Sequence, residues 1–364
     1  MEKIEKSEYM ERKLANKIVN ESLKIKENEK VLITYESLKC NSFVKELIHE
    51  IILKKGIPFV RYQDKEITTY LLENTLENKY ESLKEQMKFD VEQFHNFINI
   101  KYNINDYEEQ NIKDEIRSNI SKTTQKYKDI RTNERKWVLL NYPSFMDAYK
   151  AKMKYEDYYT YAMKAMLYDF EKEKNKIMEL KTMMEKTDKV RITGKDTDLT
   201  FSIKNMNIVP CLGSSNIPDG EIFTAPIKTS VNGTITYNTI SPYQGEVFEN
   251  VSLTFENGKI IKATCHGNEK KLKSILDTDE GSRYIGEFAI GFHPLIQYPM
   301  GDILYDEKID GSIHFTPGAA YKEAYNGNDS FVHWDLVLIQ REEYGGGCIY
   351  FDDKLIRKDG KFTF

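Results

Sequence analysis

Residues 29–63, EKVLITYESLKCNSFVKELIHEIILKKGIPFVRYQ, decide the fold class of the first half of this chain. EKVLITYES reads as a strand, NSFVKELIHEIILKKG as a helix stopping at Gly56, and IPFVRYQ as the next strand. Strand, helix and strand with a glycine stop between them favour a parallel βαβ unit. Upstream, LANKIVNESLKI reads as a helix. Downstream, residues 71–135 are rich in Glu, Lys and Asn and mostly helical, with FINIKYNINDYEEQNIKDEI left without assignment. KWVLLNYPS is a further strand, ended by Pro143. Residues 151–185 then read as one long helix whose Tyr and Met positions bury against the first domain. The expectation is an N-terminal α/β domain over residues 1–185.

The composition changes after that helix. From KVRITGKDTDLTFSI onward the chain is β-rich, with turn signals at PDG, VNG, ENG and DG. SLTFENGKIIKATC is a hairpin with Asn257–Gly258 at its tip, a pair suited to the two positive φ angles of a type I′ turn. NEKKLKSILDTD is the clearest helix. Residues 186–364 are therefore expected to form an antiparallel β-rich domain, giving an α/β plus α+β chain overall.

With 364 residues, 40% hydrophobic and 30% charged, the chain can bury a sizeable core. A net charge of -5 argues against a nucleic-acid surface. No apolar run approaches the roughly 20 residues of a membrane span. MEKIEKSEYMERKLANKIV lacks the apolar segment of a signal peptide. Cys40, Cys211, Cys265 and Cys348 are far apart with no CxxC pair, which suits unpaired thiols in a reducing compartment. A cytoplasmic protein is expected. EYGGGCIYFDDK lacks the Lys-Ser/Thr of a phosphate loop and reads as a hairpin turn, and no GxSxG elbow supports a serine hydrolase.

The chemistry concentrates in the β half. FVHWDLVLIQ, residues 331–340, reads as a strand with Val332, Trp334, Leu336 and Leu338 on a core face. Its other face carries His333 and Asp335, and a carboxylate there needs a partner. DGSIHFTPG places His314 between Ile313 and Phe315. A lone histidine in such a strand is more often a satisfied core side chain, but two of them, one with an Asp two residues on, suit a metal ion. PDGEIFTAP puts Glu221 after a turn, where a solvated charge is an equal alternative. SRYIGEFAIG puts Glu287 among Ile285, Phe288, Ala289 and Ile290, with Gly286 and Gly291 allowing close backbone approach. Five such groups exceed the needs of one zinc ion and suit a pair of divalent ions sharing a carboxylate and a water. Asp306 and Glu307 in LYDEKIDG read as a solvated turn rather than as support for the site.

At these residues the sequence resembles the M29 family of metallo-aminopeptidases, the thermophilic aminopeptidase or aminopeptidase T group. PDGEIFTAPIKTSVNGTITYN, GSRYIGEFAIG, LYDEKIDGSIHFTPGAAY and GNDSFVHWDLV resemble its four metal segments in order, and IYFDDKLIRKDGKF its ending. A weaker likeness runs through KVLITYES, LKKGIPFV and KTDKVRITGKDTDLTFSI. The resemblance implies Glu221, Glu287, His314, His333 and Asp335 as metal ligands, with Glu287 and Tyr321 as catalytic groups. It further implies two divalent metal ions (Zn, Co, Mn or Mg), peptide substrates with a free N-terminus, and a homodimer. Thr316–Pro317 and Phe292–His293 depart from the family pattern and reshape the pocket. Glu287 would take the water's proton, and Tyr321 would donate to the oxyanion. The rival readings are another two-metal hydrolase, a dipeptidase or amidase, and a metal-containing peptide-binding protein without turnover.

Overall fold

Helix α1 (Glu2–Lys17) runs on into a short π-helical turn, Ile18–Ser22, at the start of a computed structural model that describes residues 2–74 and 80–364, the backbone alone for residues 2–6. Strands β1 (Lys30–Tyr35), β2 (Ile57–Tyr62), β3 (Asn96–Lys101) and β4 (Lys136–Asn141) follow. Between them lie helices α2 (Asn41–Leu53), α3 (Lys65–Glu73), α4 (Tyr80–Gln93) and α5 (Asp114–Glu134), and after them α6 (Phe145–Lys150) and α7 (Tyr155–Met166). Residues 75–79, within the stretch expected to be helical, lie outside the described residues. Helix α8 (Lys174–Lys186) leads to β5 (Lys189–Gly194), β6 (Thr197–Ser202), β7 (Val209–Cys211), β8 (Asn216–Ile217), β9 (Glu221–Thr224), β10 (Asn232–Thr236) and β11 (Ser241–Tyr243). Then come β12 (Glu246–Glu256), β13 (Lys259–His266), α9 (Glu269–Leu276), β14 (Ile285–Gly291), α10 (Ile303–Asp306) and β15 (Ser312–Pro317). The chain ends with β16 (Val337–Ile339), β17 (Gly347–Phe351), β18 (Lys354–Lys358) and β19 (Lys361–Phe362).

One compact unit comprises residues 1–168 and 213–219. Its sheet is parallel throughout in the order β2-β1-β3-β4-β8, as the βαβ pattern requires. Val31, Leu32 and Ile33 of β1 are all buried, the mark of a strand covered on both faces. Helix α2 stops at Leu53, and Lys55 takes the left-handed conformation at φ 57°. Gly56 serves packing instead: a Cβ there would stand 2.9 Å from the Ile51 side chain. Buried residues of α7 include Tyr158, Tyr159, Met163 and Met166, as the stripe predicted.

Residues 169–212 and 220–364 form the second unit. The units part after Tyr168, inside the segment expected to be one helix. That segment is broken: α7 ends before Leu167, and Asp169 turns extended and caps a 3-10 turn, Phe170–Lys172, before α8 begins. One antiparallel sheet of this unit runs β11-β12-β10-β6-β5-β17-β18-β19, with β13 on β12. The β12–β13 tip has Asn257 at φ 49° and Gly258 at φ 84°, the expected type I′ signs. The other sheet, β16-β15-β14-β9-β7, is antiparallel as well and carries Glu221, Glu287 and His314 of the candidate ligands. No described helix is long and apolar enough to cross a membrane.

Candidate metal centre

Register alone brings the first three residues together. Gly291 pairs with Glu221 and Ala289 with Phe223, while Ala289 also faces His314 and Glu287 faces Thr316. Paired residues share a face and alternate ones return to it, so Glu221, Glu287, His314 and Thr316 stand on one side of the sheet. The opposite side carries Ile222, Phe288, Ile290, Ile313 and Phe315, all buried, with the Phe201 ring 5.0 Å from both Phe288 and Phe315. Every residue of β9, β14 and β15 is buried, so the polar side looks into protein rather than water.

His333 and Asp335 arrive by a different route. The expected strand over 331–340 is reduced to Val337–Ile339. Pro317 opposite has no N–H to donate, and the ladder breaks there. The segment still bonds to the β15 edge irregularly, through Ala319 N to Val332 O (2.7 Å) and Trp334 N to Pro317 O (3.2 Å). Gly318, at φ 107°, makes the approach possible, since a Cβ on it would lie 2.0 Å from Val332 O. The alternation expected of a strand nonetheless survives in burial over residues 331–336, where Val332, Trp334 and Leu336 are buried and Phe331, His333 and Asp335 are not, and Trp334 donates to Ser241 Oγ at 2.8 Å.

The five side chains meet through short contacts. His314 Nε2 lies 3.1 Å from Glu287 Oε1 and 3.4 Å from Glu221 Oε2. His333 Nε2 lies 3.5 Å from Glu287 Oε2 and 3.3 Å from Asp335 Oδ1. Two overlapping groups result, Glu221–Glu287–His314 and Glu287–His333–Asp335, with ligand atoms in each within 4.8 Å of one another. Glu307, His314 and Asp335 form a third such group.

Four further residues of this neighbourhood, Asp306, Glu307, Lys308 and Thr316, were not assigned to the site from the sequence. Lys308, fully buried, puts its ammonium 2.6 Å from both Glu221 Oε1 and Glu307 Oε1. The expectation of a solvated turn at Asp306–Glu307 is wrong, for both are buried. Asp306 accepts from the Met300 and Gly301 amides, while Glu307 pairs with Lys308. The cause is Gly291, which lets the backbone of Ile309 come in close; a Cβ on it would sit 2.6 Å from Ile309 O. Thr316, seen in the sequence only as a departure from a family pattern, donates its hydroxyl to Asp335 Oδ1 at 2.6 Å. Tyr321 lies at the edge, 36% exposed, its ring 4.7 Å from that of His333 and 5.8 Å from Phe223.

This donor set fits a cation. Glu221 Oε2 and Glu287 Oε2 are buried and accept no hydrogen bond, which is costly for a carboxylate left so. Each imidazole has its Nδ1 at a backbone carbonyl, His314 at Glu307 O (3.3 Å) and His333 at Ala319 O (2.9 Å). That contact makes Nδ1 the donor and leaves Nε2 to ligate, the usual outer-shell arrangement of metal-binding histidine.

With protons as the only cations, the charges redistribute. Burial would lower the pKa of His314, but Glu221 and Glu287 overcome it and push it up to about 10. Burial likewise opposes His333, yet Asp335 and Glu287 raise it to about 10. Asp335 is held well below the usual range by His333 and His314 despite its burial. Burial raises Glu287 against the pull of His314, and takes Glu307 to about 8 against that of Lys308. A metal ion held there would have to displace those imidazole protons, so its affinity would fall with acid.

The family described as thermophilic metalloprotease (M29) matches residues 8–362. Aminopeptidase AmpS of Bacillus subtilis (strain 168) is 33% identical over 154 residues, 39% of this chain and 37% of the relative. Aminopeptidase T of Thermus aquaticus is 31% identical over 147 residues, 36% of each chain. The matched stretch thus spans little more than a third of these relatives. The structure titled wild-type AmpT from Thermus thermophilus superposes with a TM-score of 0.78 at 19% identity, covering 98% of this chain and 99% of that one, which shows a shared fold.

Proposed function

This chain belongs to the thermophilic metalloprotease (M29) family, and from that premise we propose that it is an aminopeptidase removing N-terminal residues from peptides with two divalent ions. The observation that carries the reading is the buried pair of carboxylate oxygens, Glu221 Oε2 and Glu287 Oε2, that accept no hydrogen bond. One ion would lie by Glu221, Glu287 and His314, the other by Glu287, His333 and Asp335. The two overlapping donor groups, which share only Glu287, support two ions rather than one.

Bound ions supply an acidified water and a polarised scissile carbonyl. The side chains do the rest. Lys308 holds Glu221 by Oε1 and so directs Oε2 inward. Glu287 spans both groups, and its oxygens have lone pairs enough to ligate and also to take the water's proton and return it to the leaving amine. Although Tyr321 is partly exposed, desolvation of its hydroxyl and the charges of Glu287 and Asp335 push it up, so it stays protonated at neutral pH and can donate to the oxyanion. A homodimer and a cytoplasmic location complete the reading.

The test is hydrolysis of aminoacyl-anilides and peptides, free or N-acetylated, with chelator and with restored Zn, Co, Mn or Mg. Cleavage of free-amine substrates alone, lost on chelation and regained with metal, is expected. Equal rates on blocked and free peptides would point to an amidase or endopeptidase instead.

A further inference from the structure

The N-terminal unit contains a cavity of about 260 Å³ between one face of its sheet and helices α4 and α5. Thr34 and Asn99, cross-strand partners on β1 and β3, form part of its wall and hydrogen-bond to each other at 2.7 Å. They lie toward the carboxyl ends of the strands where the order reverses, since β2 and β3 flank β1 on opposite sides. Open parallel sheets bind ligands at that switch point.

Three cations line the cavity: Arg61 from β2, and Lys128 and Arg131 one turn apart on α5. Arg61 is committed, its two guanidinium nitrogens 2.6 and 2.7 Å from the oxygens of Asp90. Among the described residues Lys128 and Arg131 make no such pair. Burial lowers the pKa of both, and the charge of Arg131 lowers that of Lys128 further. The charges of Asp129 on Lys128 and of Asp90 on Arg131 act against this, and an anion seated between the two cations would relieve the remainder.

We propose that this cavity binds a small phosphomonoester, its phosphate seated by Lys128 and Arg131. A phosphomonoester carries about -1.5 to -2 charges near neutrality, which matches the two uncommitted cations. The guanidinium fork suits phosphate oxygens. The volume equals on the order of eight or nine waters, more than a bare phosphate fills, and leaves an organic part to pack on Met87 of α4. A dicarboxylate is the poorer fit, because it splits its charge between two separated groups while Lys128 and Arg131 lie one turn apart.

Isothermal titration of the full chain with glycerol 3-phosphate, inorganic phosphate and succinate tests the site. Glycerol 3-phosphate is expected to bind saturably at one per chain, inorganic phosphate more weakly and succinate weakest. Lys128→Gln and Arg131→Gln should each lose about tenfold in affinity, as for one charge-assisted hydrogen bond. Arg131→Lys should lose less, and the melting temperature without ligand should not fall in any of the three. Both glutamine positions are half-exposed on a helix, so the fold tolerates them. The proposal is overturned by absence of saturable binding at about 10 mM, by succinate binding as tightly as the ester, or by undiminished affinity in the Lys128→Gln/Arg131→Gln double variant.

Discussion

Glu11 and Glu287 are the same residue type at the same depth, 2% and 3% exposed, and burial raises the pKa of both. Their neighbours differ. Glu11, in the N-terminal unit, accepts hydrogen bonds from the hydroxyls of Ser42, Tyr142 and Tyr159. Neutral donors satisfy it without any counter-charge. Glu287 has imidazoles for neighbours and one oxygen that accepts nothing. Depth alone therefore does not separate the two carboxylates. The missing donor does.

The comparison breaks most visibly at Glu287. Glu287→Gln should lower kcat/KM by roughly 10⁴, with lost metal, if it both ligates and transfers the proton. Near-normal turnover in a metal-replete sample would return Glu287 to the class of Glu11. Tyr321→Phe is expected to cost roughly 10²–10³ in kcat while metal content holds, since only the donor to the oxyanion is removed. Retained kcat would exclude that role. Lys308→Met should weaken metal affinity about 10- to 100-fold through loss of the group that orients Glu221. Competition with a chromophoric chelator reads this directly, and unchanged affinity would mean that Lys308 only balances charge.

Glu11→Gln gives the smallest effect, about 1 kcal/mol. Because the folded pKa of Glu11 is raised, its contribution is fully present below the unfolded pKa and is lost as pH rises through the folded value. Wild type should therefore lose stability relative to Glu11→Gln from the ordinary carboxylate range upward, then level off. Urea melts at a series of pH values check this, and a gap independent of pH would contradict it.

Much of this site was legible in the sequence, and the residues show why. Glu287 announced itself as a carboxylate inside an apolar strand between glycines, and His333–Asp335 as a polar pair on the face opposite the core side of an apolar run. Lys308 left no such trace, because DEKID has the composition of a solvated turn. Its burial depends on Gly291 admitting the backbone of Ile309, a tertiary fact. The strand at 331–340 was overestimated because its partner's Pro317 lies elsewhere in the chain. The break between α7 and α8 was hidden by LYDFEKE, which has helix-forming residues and neither Gly nor Pro, so Asp169 capping a new turn was the only local cue. The parallel βαβ pattern of the N-terminal unit was read correctly, but two strands of its sheet were not: β3 lies in the stretch left without assignment, and Asn216–Ile217 is two residues long and returns from far along the chain.

Elemental analysis during titration of the metal-stripped chain with Zn or Co tests the central claim most directly. Two equivalents bound per chain in wild type, with marked loss in His333→Ala and in Glu287→Gln, is the predicted result. Wild type binding no divalent ion, or His333→Ala keeping two at full occupancy, would contradict it.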